Sequence, residues 1–297
     1  MPAASHTLTR IIAISAMSVT SFSNPVFAQD AQVGLDLGKY RIDIAGRQRM
    51  LSQRIAKEIC FIELGYRVEE HHAMLEEDYH LFEDTLIELR DGGGQYNIEP
   101  ETDRRTLAEL DLVLMHWTPL KVIIEEVLES NQVTEEAEES VFDYNLVMLQ
   151  DSNDMVSLIE QEYANPHTLE MADAFTLNLI SRQTMLSQKA AKEFCYIATG
   201  HHVEEERMAL AETRQLFTAS QDAIANGLPA MSIAPPPTEE IAGQLAFVTE
   251  IWKPMDEIYV HISEGADVTD PEVEFISSES IHLLAEMSVA TQMYVDH

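Results

Sequence analysis

The sequence is poor in the residues that interrupt regular secondary structure. Glycine and proline number 11 each among 297 residues. So few turn-forming residues in a chain of this length favour long helices over many short strands. Hydrophobic residues make up 45% of the chain, which is enough to bury a core in one large or two ordinary domains. We therefore predict an all-α protein.

Positive charge is scarce. The 18 Lys and Arg residues are outnumbered by 52 Asp and Glu residues, which gives a formal net charge of -34. Nucleic acid is excluded as a partner and anionic membrane surfaces are disfavoured, because phosphate recognition needs clusters of Lys and Arg. An acidic surface keeps a protein soluble and attracts cations, so an anionic ligand would need a locally basic site.

Motifs for catalysis and for cofactor attachment are missing. The sequence contains no nucleophile elbow, no HExxH pair and no glycine-rich phosphate loop. Its two cysteines form no CxxC, no haem-attachment CxxCH and no zinc-type spacing. We predict that the protein is not an enzyme and that it holds no cofactor.

Runs long and apolar enough to span a bilayer are also missing. Residues 1–28 read as a secretory signal, in which Arg10 precedes a mostly small or apolar stretch, residues 11–22. Val26 and Ala28 supply the small residues at positions -3 and -1 of a cleavage site. The stretch is too short and too rich in serine to cross a membrane comfortably. We expect a periplasmic or secreted mature chain with no transmembrane segment; a retained N-terminal anchor is the alternative.

The strongest positive feature is an internal duplication. Residues 47–60 read RQRMLSQRIAKEIC and residues 182–195 read RQTMLSQKAAKEFC, with ten of fourteen positions identical. The same spacing of 135 residues relates the only two tryptophans, Trp117 and Trp252. An ungapped match over so long a stretch predicts two copies of one structural unit.

Each copy is predicted to be an antiparallel four-helix bundle, over residues 35–163 and 170–297. Apolar residues recur at threes and fours from Ile44 onward, and Gly65 is expected to end or kink this first helix. The second helix is expected to stop at the glycines 92–94. The third and fourth helices are expected at about 102–130, with a kink at Pro119, and at 134–163. The second copy should end with a helix near 272–295.

One face of the first helix carries small and polar residues, and the second copy has a matching face. The first stripe consists of Ala45, Arg49, Ser52, Gln53, Ala56 and Cys60. The second consists of Ile180, Thr184, Ser187, Gln188, Ala191 and Cys195. Small side chains let helices approach closely, so we predict that the copies pack as a pseudo-dimer through these stripes. A Cys60–Cys195 disulfide would need that arrangement, and two buried free thiols are the alternative.

The segment 45–54, which reads AGRQRMLSQR, resembles the PilJ-type N-terminal domain of type IV pilus methyl-accepting chemotaxis transducers. It is similar, more distantly, to the periplasmic sensor domain of nitrate/nitrite sensor kinases. The resemblance covers both copies and implies helical-bundle sensing domains outside the inner membrane. In the nitrate sensors this helix carries an anion-binding arginine at the dimer interface, and the resemblance assigns that role to Arg49. The second copy departs from the pattern, with Ile180-Ser181 in place of Ala45-Gly46 and Thr184 in place of Arg49.

An arginine at a buried helix contact must be paired, either with a carboxylate of the protein or with an anionic ligand. Both roles for Arg49 stay open at this point. The candidate ligand-binding residues are Arg47, Arg49, Ser52, Gln53, Arg54, Arg182, Thr184 and Gln188. Their alternative role is a hydrogen-bond network between helices that the fold itself requires.

The histidines include two adjacent pairs, His71-His72 and His201-His202, beside glutamates. Neighbouring residues on a helix point to different faces, so at most one histidine of each pair is expected to meet a carboxylate three or four positions away. His72 and Glu76 have that spacing, but no second ligand is evident. We therefore predict no metal site.

The sequence favours a soluble, sensor-like protein that binds a small ligand, with an oxyanion such as nitrate or nitrite as the leading candidate. Such a protein would pass its signal to a membrane-bound receptor or to another periplasmic protein. The alternative is a structural or protein-interaction module with no small-molecule ligand. A third hypothesis is metal handling through His, Met and Glu.

Overall fold

The computed structural model describes residues 29–94, 97–163, 171–231 and 233–297. Within these ranges the chain forms eight α-helices and no β-strand, which confirms the all-α prediction. The secretory signal predicted over residues 1–28 lies outside the described residues.

The eight helices divide equally between the two copies. The first copy contains α1 (Gln29–Leu64), α2 (Val68–Asp91), α3 (Arg104–Ser130) and α4 (Glu135–Tyr163). The second contains α5 (Met171–Thr199), α6 (Val203–Asn226), α7 (Glu239–Ser263) and α8 (Asp270–Val295). Helix α3 runs unbroken through Pro119.

Capping side chains set the helix starts, which differ by one or two residues from those expected. Helix α3 begins after Asp103, whose carboxylate accepts hydrogen bonds from the amides of Arg105 and Thr106. Helix α8 begins after Thr269, whose amide donates to the Glu272 carboxylate at 2.9 Å.

The turn that joins the first two helices is built in the same way in both copies. Gly65 and Gly200 end α1 and α5 with positive φ angles of 77° and 85°. Two positions later, Arg67 and His202 adopt the left-handed conformation just before α2 and α6 begin. The expectation that His201 and His202 lie on one helix, pointing to different faces, is therefore wrong, because both residues belong to the turn.

Each copy closes into a four-helix bundle, since every helix packs on the next and the fourth packs back on the first. Helices α1 and α5 contact each other along their length and join the bundles. The main hydrophobic core continues from one copy into the other through this contact. The two bundles therefore share a core, as the pseudo-dimer prediction required.

The two tryptophans show the duplication in the core. Trp117 packs on Phe82 with ring centroids 4.4 Å apart, and Trp252 packs on Phe217 with centroids 3.9 Å apart. All four rings are buried. Equivalent residues of the two copies therefore occupy equivalent places in the bundles.

We find no helix among the described residues with the length and apolar character that crossing a membrane requires.

Candidate functional site

Helices α1 and α5 run parallel, and residues 135 positions apart meet across a pseudo-two-fold axis. Near one end of the contact, Gly46 lies against Ser181. Near the other end, a disulfide joins Cys60 to Cys195, with Cα atoms 6.1 Å apart. The cysteines of the predicted stripes thus meet between the copies, and so do Gly46 and Ser181, which the stripes did not include.

The stripe glutamines hold the fourth helix of each copy. Gln53 donates a hydrogen bond to the carbonyl oxygen of Asn145 at 3.2 Å. Gln188 donates to the carbonyl oxygen of Ser280 at 3.1 Å. Asn145 and Ser280 are themselves 135 residues apart, so the two bonds are equivalent. Both glutamines and the neighbouring Ser52 are buried.

Buried lysines then connect the copies. Lys57 of α1 donates to the side chain of Gln188 at 2.8 Å, and Lys192 of α5 donates to the side chain of Asn145 at 2.9 Å. Each bond crosses from one copy to the other. These residues therefore act as interhelical cross-links, the fold-related role that the sequence left open for them.

Arg49 lies on one side of the axis, in what we call the Arg49 cluster (Arg49, Asn178 and Glu160). Its guanidinium donates to Asn178 Oδ1 at 2.6 Å, and the Asn178 amide donates to the Glu160 carboxylate. Burial lowers the pKa of Arg49 to about 10, helped by the positive charge of the exposed Arg182 and opposed by Glu160. The Arg49 Nε atom is buried and has no hydrogen-bond partner. A protein carboxylate thus pairs with Arg49 through an asparagine, and one donor is left over.

A cavity of about 370 Å³, which we call the interface pocket, lies beside the axis between α1, α5 and α8. Three predicted residues line it: Arg47, Arg54 and Thr184. Its other polar lining residues are Asp43, Lys57, Ser181, Ser288, Thr291 and Gln292. Its apolar lining residues are Met50, Met74, Leu81, Ile281, Leu284 and Ala285. A cavity of this size that combines an apolar wall with converging polar groups is suited to a small ligand.

The first basic group of the pocket is paired locally. Arg47 donates to the Asp43 carboxylate at 2.6 Å, one turn away on the same helix. Burial nevertheless raises the pKa of Asp43, against the lowering effect of Arg47. Arg47 therefore has an acidic partner of its own inside the pocket.

The second basic group, Arg54, has acidic partners behind the pocket. Its Nε atom lies 3.0 Å from Asp78 Oδ2 and 3.5 Å from Glu58 Oε1, and Lys57 Nζ lies 3.1 Å from the same Glu58 oxygen. Burial raises the pKa of Asp78 to about 8 although Arg54 opposes the rise. The basic groups of Arg54 and Lys57 therefore share the acidic groups of Asp78 and Glu58 at this wall of the pocket, and burial lowers the pKa of Lys57.

The two sides of the axis differ at the positions that face the pocket. Thr184 is the counterpart of Arg49, and Asp43 is the counterpart of Asn178. On one side the long Arg49 side chain reaches Asn178. On the other, the short Thr184 bonds back to the Ser181 carbonyl at 2.6 Å and leaves the space in front of Asp43 open. The short side chain at position 184 thus leaves open a space that corresponds to the one Arg49 occupies on the other side.

The predicted site residues separate into three groups in the structure. Arg47, Arg54 and Thr184 line the interface pocket, and Arg49 with the nearby exposed Arg182 lies on the opposite side of the axis. Ser52, Gln53 and Gln188 are buried in the contact between the copies. Sequence reasoning missed Asp43 and Asp78, because an acidic residue carries little information in a chain with 52 of them.

Two tandem helical bundles joined through parallel first helices define a duplicated helical-bundle module. The model of the family "Type IV pili methyl-accepting chemotaxis transducer N-term" matches residues 39–141 and 170–273. The two matches together span more than half of the chain, which therefore belongs to this family as two tandem copies. The family is a sensory and signalling domain. A comparison with curated proteins gives no match.

The outer bounds of the copies, 35–163 and 170–297, stay a prediction.

Proposed function

We propose that this protein is a non-catalytic sensor that binds a small oxyanion, such as nitrate or nitrite, in the interface pocket. One observation carries the proposal: Arg47, Arg54 and Thr184, all predicted as ligand-binding residues, line a single cavity. The guanidinium groups supply charged donors and Thr184 supplies a hydroxyl, which suits a planar anion with several acceptor oxygens. The apolar lining also accommodates an organic group attached to such an anion.

The location of the pocket supports a signalling role. Its lining comes from both copies, with α1 and α2 from the first and α5 and α8 from the second. A ligand held between two bodies favours the arrangement in which its contacts are best, so occupancy biases the angle and spacing of the bundles. We infer that a partner protein, either a membrane-bound receptor or another protein of the same compartment, reads this arrangement.

We also propose that the protein works outside the cytoplasm, in the periplasm or after secretion. Two observations support this location. Residues 1–28 have the pattern of a secretory signal. The Cys60–Cys195 disulfide is of the kind that persists in oxidising compartments.

A second candidate function, an interaction module with no small-molecule ligand, is favoured by the stripe residues. Gln53, Gln188, Lys57 and Lys192 all use their side chains to connect helices. On this reading the basic residues of the pocket only balance buried acids, and the acidic surface meets a protein partner.

A thermal-shift screen distinguishes the two functions. The panel comprises nitrate, nitrite, other small oxyanions and divalent metals, because a ligand that binds only the folded state raises the unfolding midpoint as its concentration exceeds Kd. The decisive variant is Thr184→Arg, which restores the side chain found at the equivalent position 49 and should fill the pocket by reaching Asp43.

We expect one anion to give a saturable rise of the midpoint that is lost in Thr184→Arg and in Arg47→Ala. The matched control is Lys253→Ala, which removes an exposed cation of α7 paired only with Glu250, and the rise should persist there. A flat response across the anions would leave the interaction module. A rise lost in Arg49→Ala but retained in Thr184→Arg would move the ligand to the Arg49 cluster.

A further inference from the structure

Three potential metal-binding side chains meet at the end of the bundles, in what we call the histidine corner (Glu139, His201 and His202). Glu139 belongs to α4 of the first copy, and the histidines form the α5–α6 turn of the second. Glu139 Oε2 lies 2.9 Å from His201 Nε2 and 3.7 Å from His202 Nε2. All three ligand atoms lie within 4.8 Å of one another.

This spacing fits a small divalent ion. Zinc binds imidazole nitrogen and carboxylate oxygen at about 2.0–2.2 Å in a tetrahedron, which puts the ligand atoms about 3.4 Å apart. The distances from Glu139 to the two histidine nitrogens, 2.9 and 3.7 Å, bracket that value. The His201 Nε2 atom is buried and has no hydrogen-bond partner, despite its approach to Glu139. It is therefore available as a ligand.

The other ring nitrogens of the two histidines face a second layer of carboxylates. His201 Nδ1 lies 3.6 Å from Glu138 Oε1, and His202 Nδ1 lies 3.7 Å from Glu205 Oε2. Metal-bound histidines donate their second N–H to such groups, which orients the ring and raises its basicity. Glu138 is only 6% exposed, and its Oε1 atom has no hydrogen-bond partner. It is thus a buried acceptor directed at a ligand histidine.

The histidine rings are also held in place by packing. Phe142 of α4 stacks on His202 with ring centroids 4.2 Å apart and planes within 6°. The edge of the same ring faces His201, with centroids 5.5 Å apart. A fixed ring orientation lowers the entropy that metal binding would otherwise have to offset. The first ligand layer is therefore largely preorganised.

The pseudo-two-fold axis supplies an internal comparison. The counterpart of the His202–Glu139 pair is Arg67–Glu274, 135 residues removed in each case. Arg67 has the same left-handed backbone conformation as His202 and lies 3.5 Å from Glu274. It also donates to Glu70, the counterpart of Glu205, at 2.7 Å. In the first copy, a permanent cation of the chain thus bridges the two carboxylates.

The histidine corner has more acidic residues than its counterpart, and it has His202 where the counterpart has Arg67. Val273 and Ala198 of the counterpart correspond to Glu138 and Glu63 at the corner. Two more carboxyl groups therefore lie at the corner than at its counterpart, where the other copy has its own arginine.

We propose that Glu139, His201 and His202 bind one divalent transition-metal ion, for which zinc is the natural probe. The ion takes the place that the Arg67 guanidinium fills in the other copy. Because its ligands come from α4 of one copy and the α5–α6 turn of the other, it fastens the two bundles at this end. This site is separate from the interface pocket and does not depend on the function proposed for it.

The test is calorimetric titration of Zn²⁺ into the untagged, chelator-treated full-length chain. The variant H201Y/H202R converts the corner into its first-copy counterpart, and because that turn folds with Tyr66 and Arg67, the variant should fold as well. Glu139→Gln is a second variant, in which both imidazoles stay and one ligand charge is lost. His282→Ala is the matched control, since His282 also lies beside two carboxylates, those of Glu279 and Glu286.

We expect one zinc ion per chain, at least tenfold weaker binding in H201Y/H202R and in Glu139→Gln, and unchanged binding in His282→Ala. Co²⁺ bound at the corner should give the visible absorption of a tetrahedral site with nitrogen and oxygen ligands. Absence of stoichiometric binding, or equal binding by the native chain and H201Y/H202R, would overturn the proposal.

Discussion

Gly46 and Ser181 occupy equivalent positions on α1 and α5, and one accommodates the other. A Cβ atom on Gly46 would overlap the Ser181 hydroxyl and lie 3.0 Å from the Ser181 Cβ atom. The helices therefore approach closely here only because one of the two residues lacks a side chain.

Gly46→Ala should lower the free energy of unfolding by about 1–3 kcal/mol, because the added methyl group overpacks the helix contact. Urea unfolding measures the loss. The double variant Gly46→Ala/Ser181→Gly exchanges the small and larger positions and should recover most of it. If the double variant is no more stable than Gly46→Ala, the Ser181 contact is not the cause.

Arg49→Ala should lower the free energy of unfolding by about 1–3 kcal/mol, since it leaves the Asn178 Oδ1 acceptor without its donor at a partly buried contact. Chemical denaturation measures this change. Arg182→Ala, at an exposed position, serves as the comparison and should change stability by less than about 0.5 kcal/mol. Unchanged stability in Arg49→Ala would argue against structural pairing and for a ligand-binding role.

The disulfide should contribute about 2–5 kcal/mol, because Cys60 and Cys195 close a loop across 135 residues of the unfolded chain. The double variant Cys60→Ala/Cys195→Ala, or treatment of the native chain with reductant, should lower the unfolding midpoint. Reductant should have no effect on the double variant. A native chain that unfolds identically with and without reductant would contradict the prediction.

Asp78 should make stability fall as the pH rises. Its folded pKa of about 8 lies above the ordinary aspartate value of 3.8, so between these values the folded state holds a proton that the unfolded state has lost. The folded state binds more protons in this window, and the free energy of unfolding decreases from about pH 4 to about pH 8.

Urea unfolding at about pH 5.5 and about pH 8 tests this effect of Asp78. The native chain should be less stable at the higher pH. Asp78→Asn should show a smaller decrease, whereas Asp84→Asn, at an exposed position of the same helix, should behave like the native chain. An equal decrease in the native chain and in Asp78→Asn would assign the pH dependence to other groups, among them Glu206, whose pKa burial raises to about 7.

The symmetric part of the structure was predictable from the sequence, because the duplication determines it. Equal spacing of the stripe residues predicted that α1 and α5 pair, and Gly65 predicted the end of α1. The small residues of each stripe predicted that α1 and α5 approach closely, but they did not give the positions at which the two helices touch. The Gly46–Ser181 contact required coordinates.

The asymmetric part was not predictable in the same way. The interface pocket depends on space that Thr184 does not fill, and an absent side chain has no pattern in a sequence. The histidine corner was missed for a different reason. Helical periodicity does not extend to His201 and His202, because Gly200, directly before them, ends α5. Gly200 is the counterpart of Gly65, which also precedes a turn.

The covalent joining of the two copies has a consequence for how such a site can change. In an assembly of two identical subunits, every mutation appears twice, and a residue on the symmetry axis always faces itself. Here each half mutates separately, so an arginine can persist at position 49 while position 184 holds threonine. Tethering also keeps the halves together at any dilution. One chain therefore has a fixed stoichiometry and can keep one half as a scaffold while the other acquires a new specificity.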